Sequence, residues 1–207
     1  RKAEVAAITE AAMRGELDFA ESLKERVATL EGLPTRIFDE VRHQITVTFG
    51  VPELIRAVKA QGGFIGVVSG GFHEVLDPLA ESLGLDFWKA NRLAIEDGHL
   101  TGKVLGEIVD AEVKAKTLIQ WAQETQIPLE RTVAIGDGAN DLAMIQLAGL
   151  GVAYHAKPVV AEAAERPRRG DGGMRLAGGD VDGLVCAVPR LVNAVCRRSA
   201  IRTELRS

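Results

Sequence analysis

Thr132-Val133-Ala134-Ile135-Gly136-Asp137-Gly138-Ala139-Asn140-Asp141 is an apolar, strand-like run that stops abruptly in an acidic, glycine-bearing loop and then opens a helix. Asp137 and Asp141 stand four residues apart, and Gly136 and Gly138 let the backbone turn and approach closely. Hard oxygen donors in such a loop are of the kind Mg²⁺ requires. A surface turn rich in Asp, Asn and Gly has the same composition. What favours the functional reading is a second strand that ends in a polar glycine turn, Phe64-Ile65-Gly66-Val67-Val68-Ser69-Gly70-Gly71-Phe72, with a lysine-bearing helix farther along the chain, at about 111 to 125. Two other readings of the acidic loop fail. A calcium loop starting at Asp137 would put Ala139, Leu142 and Ala148 where an oxygen ligand, a glycine and a glutamate are needed. A dinucleotide fingerprint lacks its third glycine after Gly136-x-Gly138, and Asp137 would set a carboxylate against a pyrophosphate.

Outward from these two loops the chain alternates helix and strand. The patterns predict a helix at 52 to 61, a strand at 64 to 68, a helix at 73 to 83, a short strand near 87 to 90, a helix at about 111 to 125, a strand at 132 to 136, a helix at 140 to 147 and a strand at 150 to 154. That rhythm argues for a parallel sheet with helices on both faces, where ligands sit at the carboxyl ends of the strands, the places of Ser69 and Asp137. Asp97-Gly98 between two apolar runs signals a β-hairpin. Ahead of this unit lies a helical block: residues 3 to 14 closed by Gly15, then a helix capped by Asp18 and Glu21 with Phe19, Leu23, Val27 and Leu30 on its apolar face, then a third helix opened by Pro34 and running to about Arg42.

At 207 residues, 46% of them apolar, the chain can bury a core, which excludes disordered and fibrous classes. A net charge of −4 and a pI near 5.7 give no field favouring nucleic acid or anionic membrane, so any phosphate binding must be local. Apolar stretches are strand-sized and no basic segment precedes an apolar one, so neither a spanning helix nor a signal peptide is expected, and a cytoplasmic place follows by default. Cys186 and Cys196 lack metal-ligand spacing and read as free thiols. His43, His73, His99 and His155 are scattered, and Trp88 and Trp121 read as packing residues.

Val67-Val68-Ser69-Gly70-Gly71-Phe72, Ala90-Asn91-Arg92-Leu93, Asp97-Gly98-His99-Leu100-Thr101-Gly102, Lys114, Gly136 to Asp141 and Ala156-Lys157-Pro158 follow one another in an order and spacing far more specific than any one of them. Together they resemble the haloacid dehalogenase-like phosphatases, and more narrowly the phosphoserine phosphatase family, over about residues 3 to 164. The resemblance implies an α/β fold, a three-layer Rossmann-like parallel sheet with a small helical cap at 1–45 and a core at 46–165. It implies a Mg²⁺-dependent hydrolase of a small phosphomonoester, O-phosphoserine, working through an aspartyl-phosphate in L-serine biosynthesis, and it allows a homodimer.

Residue by residue, the resemblance makes Ser69 and the Gly70 amide phosphate-oxygen donors beside a helix N-terminus, and Lys114 the cation on the phosphoryl group. It makes Asp137 a metal ligand, Asp141 a second acidic group of the metal site that orients the metal water shell or Lys114, and Asn140 a substrate hydrogen-bonder. Lys114 stands near the start of a helix, where a cation is disfavoured by the dipole, so it calls for an anionic partner; Lys116 is the second choice. In the cap, Arg26 matches the arginine that grips the substrate carboxylate in two parallel hydrogen bonds, and Met13 and Phe19 match residues that shield the pocket, although plain helix packing explains both as well.

One departure stands out. The family's nucleophile lies in an N-terminal strand ending Asp-x-Asp-x-Thr, together with a substrate-binding glutamate in the same region, and the 207 residues contain no such motif. The chain therefore reads as an N-terminally incomplete copy, inactive alone. In the resembled fold that strand is central, between 64–68 and 132–136, so its lack predicts two apolar edges facing a gap. Residues 166–207 change character, with nine of the 17 arginines and none of the lysines, and read as a divergent or frame-shifted tail in which Val181 to Val195 suggest a helix weakened by Gly183 and Pro189. The alternatives are a related phosphatase for another small phosphomonoester, such as phosphohomoserine, and a non-catalytic phosphate-binding module.

Overall fold

The structure, a computed structural model, describes Ile8, residues 18–154, 185–187 and 192–193. Its frame is a six-stranded sheet in the order β4-β3-β2-β7-β5-β6, formed by β2 (Phe64–Phe72), β3 (Phe87–Glu96), β4 (His99–Leu105), β5 (Thr132–Gly136), β6 (Leu150–Ala153) and β7 (Val185–Ala187). All neighbours run parallel except β4, which folds back antiparallel on β3. Parallel strands covered on both faces carry apolar residues on both faces, and β2 shows how. Ile65 and Val67 point to one side, where they pack with Val51, Ile55 and Val58 of α3 (Val51–Ala60) and Leu76 and Ala80 of α4 (His73–Leu83). Val68 points to the other, against Val113, Leu118 and Trp121 of α5 (Ala111–Glu124) and Met144 and Ile145 of α6 (Leu142–Leu147). Strand β5 alternates in the same sense, with Ala134 toward α5 and α6 and Val133 and Ile135 toward α3 and α4. Each large aliphatic side chain fully buried this way contributes about 1.5–3 kcal/mol.

Gly66 sits on the α5 side because nothing larger fits: a methyl there would lie 2.7 Å from the Trp121 ring. Trp121 in turn stacks on Phe87 at a centroid distance of 5.5 Å.

The helical block folds against the hairpin. Helix α1 (Phe19–Ala28) starts with a complete capping box: Asp18 Oδ1 accepts the Glu21 N–H at 2.7 Å, and Glu21 Oε2 accepts the Asp18 N–H at 3.2 Å. Leu23 and Val27 of α1 and Phe38 of α2 (Ile37–Gln44) bury themselves with Leu93 and Leu100 of the hairpin. The hairpin turns through Asp97 and Gly98, both with positive φ, as a two-residue connection of twisted strands demands. Two residues, Thr35 and Arg36, intervene between Pro34 and the start of α2, correcting the expectation that Pro34 opens that helix. Pro34 instead bridges to His99, and the Leu33 carbonyl accepts the Leu100 N–H at 2.8 Å, so extended pairing with the hairpin edge holds this segment out of the helix. Ile8 is helical, while the rest of the 3 to 14 segment, with Met13, and Ala156-Lys157-Pro158 lie outside the described residues.

Two expectations about the tail are overturned. Val181 to Val195 do not form one helix: Val185–Ala187 is strand β7 and Val192–Asn193 is strand β8, which pairs antiparallel with β1 (Thr46–Val47). The centre of the sheet is also not a gap, because β7 lies parallel between β2 and β5, with Cys186 level with Ile65 on one side and Val133 on the other. Two facing rows of unpaired N–H and C=O groups offer an extended segment partners on both sides, which outweighs a helical pattern already interrupted by Gly183 and Pro189.

Candidate active site at the strand ends

Two loops at the carboxyl ends of β2 and β5 are each hydrogen-bonded to the backbone or side chains at the start of α5, one through Lys114 and the other through Asn91 and Val109. At β5, Gly136 has no side chain where a methyl would overlap the Cβ of Asp141 and lie 2.8 Å from its Cγ, so the Asp141 carboxylate folds back under the loop. Its Oδ2 accepts the N–H groups of Asp137 at 3.2 Å and Gly138 at 3.1 Å. Its Oδ1 accepts from Lys114 Nζ at 2.7 Å, and both side chains are within 3% of full burial. A cation in the first turn of α5 thus finds the anion its position calls for, and that anion is Asp141. Such a pair holds its geometry firmly, since removing one member leaves an uncompensated charge in the interior.

Helix α5 is itself fixed at its start by Asp110, whose side chain accepts the Val113 N–H at 2.9 Å. Just before it, the Val109 N–H donates to Asn91 Oδ1 at 2.8 Å, and Asn91 Nδ2 donates to the Gly70 carbonyl at 3.0 Å. The second loop is thereby tied to the same end of α5. Within it Ser69 Oγ accepts the Gly71 N–H at 3.0 Å, and Ser69 and Gly70 are half-buried at the end of β2, ahead of α4. From the cap, the Phe19 ring reaches to 3.3 Å of where a Gly70 methyl would sit, which lays α1 over this turn. Arg26 is half-buried on α1, with Nε donating to the Ser22 carbonyl at 3.1 Å. Seven residues from Phe19, it lies on the same face of the helix.

Ser69, Gly70, Lys114, Asp137 and Asp141 therefore gather at one edge of the sheet, and Asn140 lies half-buried in the same loop as Asp137. Lys116 does not join them: it is exposed and pairs with Glu112 at 2.7 Å, a hydrogen bond that holds its ammonium above the ordinary lysine range. Asn91 is the residue that sequence reasoning left without a role. Its signal was available, a polar amide inside the apolar run of β3, but its two partners lie 18 and 21 residues away.

As a metal centre the loop offers Asp137, half-buried and flanked by glycines, while the oxygens of Asp141 are engaged by Lys114 and two amides. Among the described residues no three His, Cys, Asp or Glu side chains form a cage. One hard carboxylate beside an anion cradle fits Mg²⁺, which keeps several waters and shares few protein carboxylates with substrate phosphates. Among the described residues no helix is long and apolar enough to cross a membrane.

A family model for haloacid dehalogenase-like hydrolases matches residues 1–146. The chain is 58% identical over 161 residues to a phosphoserine phosphatase of Streptomyces coelicolor, covering 78% of this chain and 39% of that protein. It is 55% identical over 157 residues to a phosphoserine phosphatase of Streptococcus thermophilus, covering 76% of this chain and 73% of that one. Its structure superposes on a probable phosphoserine phosphatase from Vibrio cholerae, solved unliganded, with a TM-score of 0.75 and 48% identity over 78% of this chain and 50% of that one. The match thus spans well under half of one relative and about three quarters of another. A family model over residues 1–146 and relatives at 55–58% identity, on an α/β sheet this similar, mean that the chain belongs to the haloacid dehalogenase-like hydrolase family and groups within it with the phosphoserine phosphatases.

Proposed function

We propose that this chain carries the anion-binding half of a Mg²⁺-dependent phosphoserine phosphatase, an enzyme that converts O-phospho-L-serine and water to L-serine and phosphate in L-serine biosynthesis. The observation that carries the reading is the buried Lys114–Asp141 pair, fixed at 2.7 Å at the end of β5, with the Ser69-Gly70 turn at the same end of the parallel sheet. Phosphoryl transfer asks a protein mainly to position an anion and to neutralise charge spreading over its equatorial oxygens. Lys114 supplies the charge. Asp141 holds that ammonium in place through one oxygen and the loop amides through the other, and as the second acidic group of the metal site it would orient the metal's water shell. Ser69 accepts from Gly71 and so keeps its own hydroxyl proton for a phosphate oxygen, and the Gly70 amide donates beside it. Asn140 hydrogen-bonds the substrate. Arg26, on the face of α1 that overlies the turn, takes the substrate carboxylate, and Phe19 shuts water out above it, the shielding role that the resemblance also gives Met13 falling outside the described residues. Asp137 would hold Mg²⁺, which when bound neutralises phosphate charge.

The family's chemistry runs through an aspartyl-phosphate on an Asp-x-Asp-x-Thr strand, a motif these 207 residues lack. That observation favours a second reading, a phosphate-binding module without turnover, and on either reading the 207 residues are inactive on phosphoserine by themselves. A cytoplasmic location belongs to the same proposal. The test is phosphate release from O-phospho-L-serine with Mg²⁺, on the chain as it stands and on a fusion bearing an Asp-x-Asp-x-Thr strand ahead of Arg1. Turnover in the fusion that is lost on Lys114→Ala supports the enzyme; no turnover in the fusion supports the module. Turnover that survives Lys114→Ala would sink the role given to the buried pair.

A further inference from the structure

We infer that Asn91 is a positioning residue that sets the direction of the Ser69 hydroxyl and couples it to the start of the lysine-bearing helix, an inference that rests on reading the Ser69-Gly70-Gly71 turn as an anion cradle. Asn91 is 1% exposed and spends both ends of its amide on backbone that surrounds the site. Its Nδ2 donates to the Gly70 carbonyl at 3.0 Å and its Oδ1 accepts the Val109 N–H at 2.8 Å, so the partners themselves fix which end is oxygen and which is nitrogen.

The consequence follows from the planarity of the peptide. A Gly70 carbonyl drawn toward Asn91 aims the Gly71 N–H of the same peptide unit the opposite way. That N–H lands on Ser69 Oγ at 3.0 Å, and an oxygen that is already accepting there turns its proton elsewhere. Asn91 thus acts on the hydroxyl through one rigid peptide plane. Through Val109, which is fully buried, it holds the residue next to Asp110, the cap of α5, and so the turn that places Lys114. Its own strand is pinned from the opposite side. His73 Nε2 accepts the Ala90 N–H at 3.1 Å, which leaves Nδ1 to donate to Asp77 Oδ1 at 2.5 Å. A serine cradle and a lysine cation on different elements are held in mutual register by one carboxamide.

An isosteric change separates this from simple packing. In Asn91→Asp the ionised carboxylate still accepts from Val109 but cannot donate to Gly70, whereas the protonated form restores both bonds. His73 and Glu74 on α4, Arg92 on β3, and Asp110 and Lys114 at the start of α5 are the titratable or charged groups nearby, and they are common to wild type and variant. Affinity of the full 207-residue chain for sulfate, a dianion throughout this range, is followed by NMR at Gly70, Gly71 and Lys114. Burial at a site 1% exposed and the facing Gly70 carbonyl both disfavour the ionised form of an introduced carboxyl, so Asn91→Asp is expected to bind about tenfold more weakly than wild type at about pH 8 and to recover most of the difference at about pH 5, while Asn91→Ala stays weak at both. Equal affinity of Asn91→Asp and wild type at the higher pH, or a deficit with no recovery at the lower, overturns the inference. Wild-type signals that ignore sulfate overturn the cradle reading itself. The clamp is read separately and without any anion, from amide exchange at Gly71 and Val109: faster exchange in Asn91→Asp at about pH 8 supports it, and unchanged exchange overturns it.

Discussion

Lys114 and Asp141 show how much a single residue can decide. Each is expensive to bury alone, and the cost of removing one partner is the stranded charge, about 3–5 kcal/mol, rather than the worth of the bond. Lys114→Met and Asp141→Asn should therefore each lower the free energy of unfolding in urea by an amount of that order, and the double variant by clearly less than their sum. Strict additivity would mean that the two groups are not coupled in solution. Gly136 belongs to the same unit, since its missing side chain is the space the Asp141 carboxylate occupies. Gly136→Ala should shift the Lys114 side-chain NMR signal as Asp141→Asn does, even though it leaves both charges in place. Of these residues, Asp137, Asp141, Ser69 and Lys114 were legible as a sequence pattern because glycine-flanked acids and a cation in a first helical turn are local signals. The pairing of Lys114 with Asp141 came only from the resemblance, as one of two alternatives for Asp141, and the work of Asn91 did not come at all, because a tertiary hydrogen bond leaves no trace in spacing.

At the scale of elements, boundaries set by local chemistry were readable and boundaries set by neighbours were not. His73–Leu83 and Thr132–Gly136 are where periodicity puts them, and the Asp97-Gly98 turn and Asp18 cap are where turn and cap chemistry put them. Strand β3 runs on to Glu96 rather than ending near residue 90 because β4 folds back on it, and β2 runs on to Phe72 beside β3. Between α4 and β3 stands a titratable latch: Asp77 accepts from His73, from Trp88 Nε1 at 2.9 Å and from Arg92 at 3.1 Å. Burial is the largest influence on the Asp77 carboxyl and pushes its pKa up, but the hydrogen bonds from His73, Trp88 and Arg92 together outweigh it, so the pKa lies below its ordinary 3.8. A carboxyl depressed on folding stabilises fully above its ordinary value and loses that contribution as pH falls through the folded value. Asp77→Asn should accordingly lower the melting temperature at neutral pH and flatten the fall in stability below about pH 4 relative to wild type. A parallel decline of both proteins through that range would show that the latch contributes nothing. Gly66→Ala tests the packing beneath it: the added methyl must displace the stacked Trp121, at about 1–3 kcal/mol, read as a lower urea midpoint and an altered tryptophan near-ultraviolet signal.

Taken whole, the molecule rests on a three-residue strand at the centre of its sheet. Two parallel neighbours meet β7 from either side, β2 nine residues long and β5 five, and only Phe64–Gly66 and Thr132–Ala134 pair with it. The sequence could not show this, because a short apolar run between Gly183 and Pro189 carries no period of its own and acquires a conformation only from the rows of N–H and C=O groups it meets. The arrangement makes a strong claim about cooperativity, since the β4-β3-β2 half and the β5-β6 half of the sheet are hydrogen-bonded to each other through this one strand. In a strand paired on both sides each N–H donates to one neighbour or the other, so Cys186→Pro removes a central ladder bond and sets a ring against β2 or β5. We expect that variant to unfold less cooperatively, with a smaller urea m-value and increased light scattering, as the uncovered edges of β2 and β5 seek partners in other chains. Cys186→Val, which keeps the N–H and suits a strand, should match wild type in both measurements. A proline variant as cooperative and as free of scattering as wild type would show that β7 does not join the two halves, and that the sheet is held together by the helices alone.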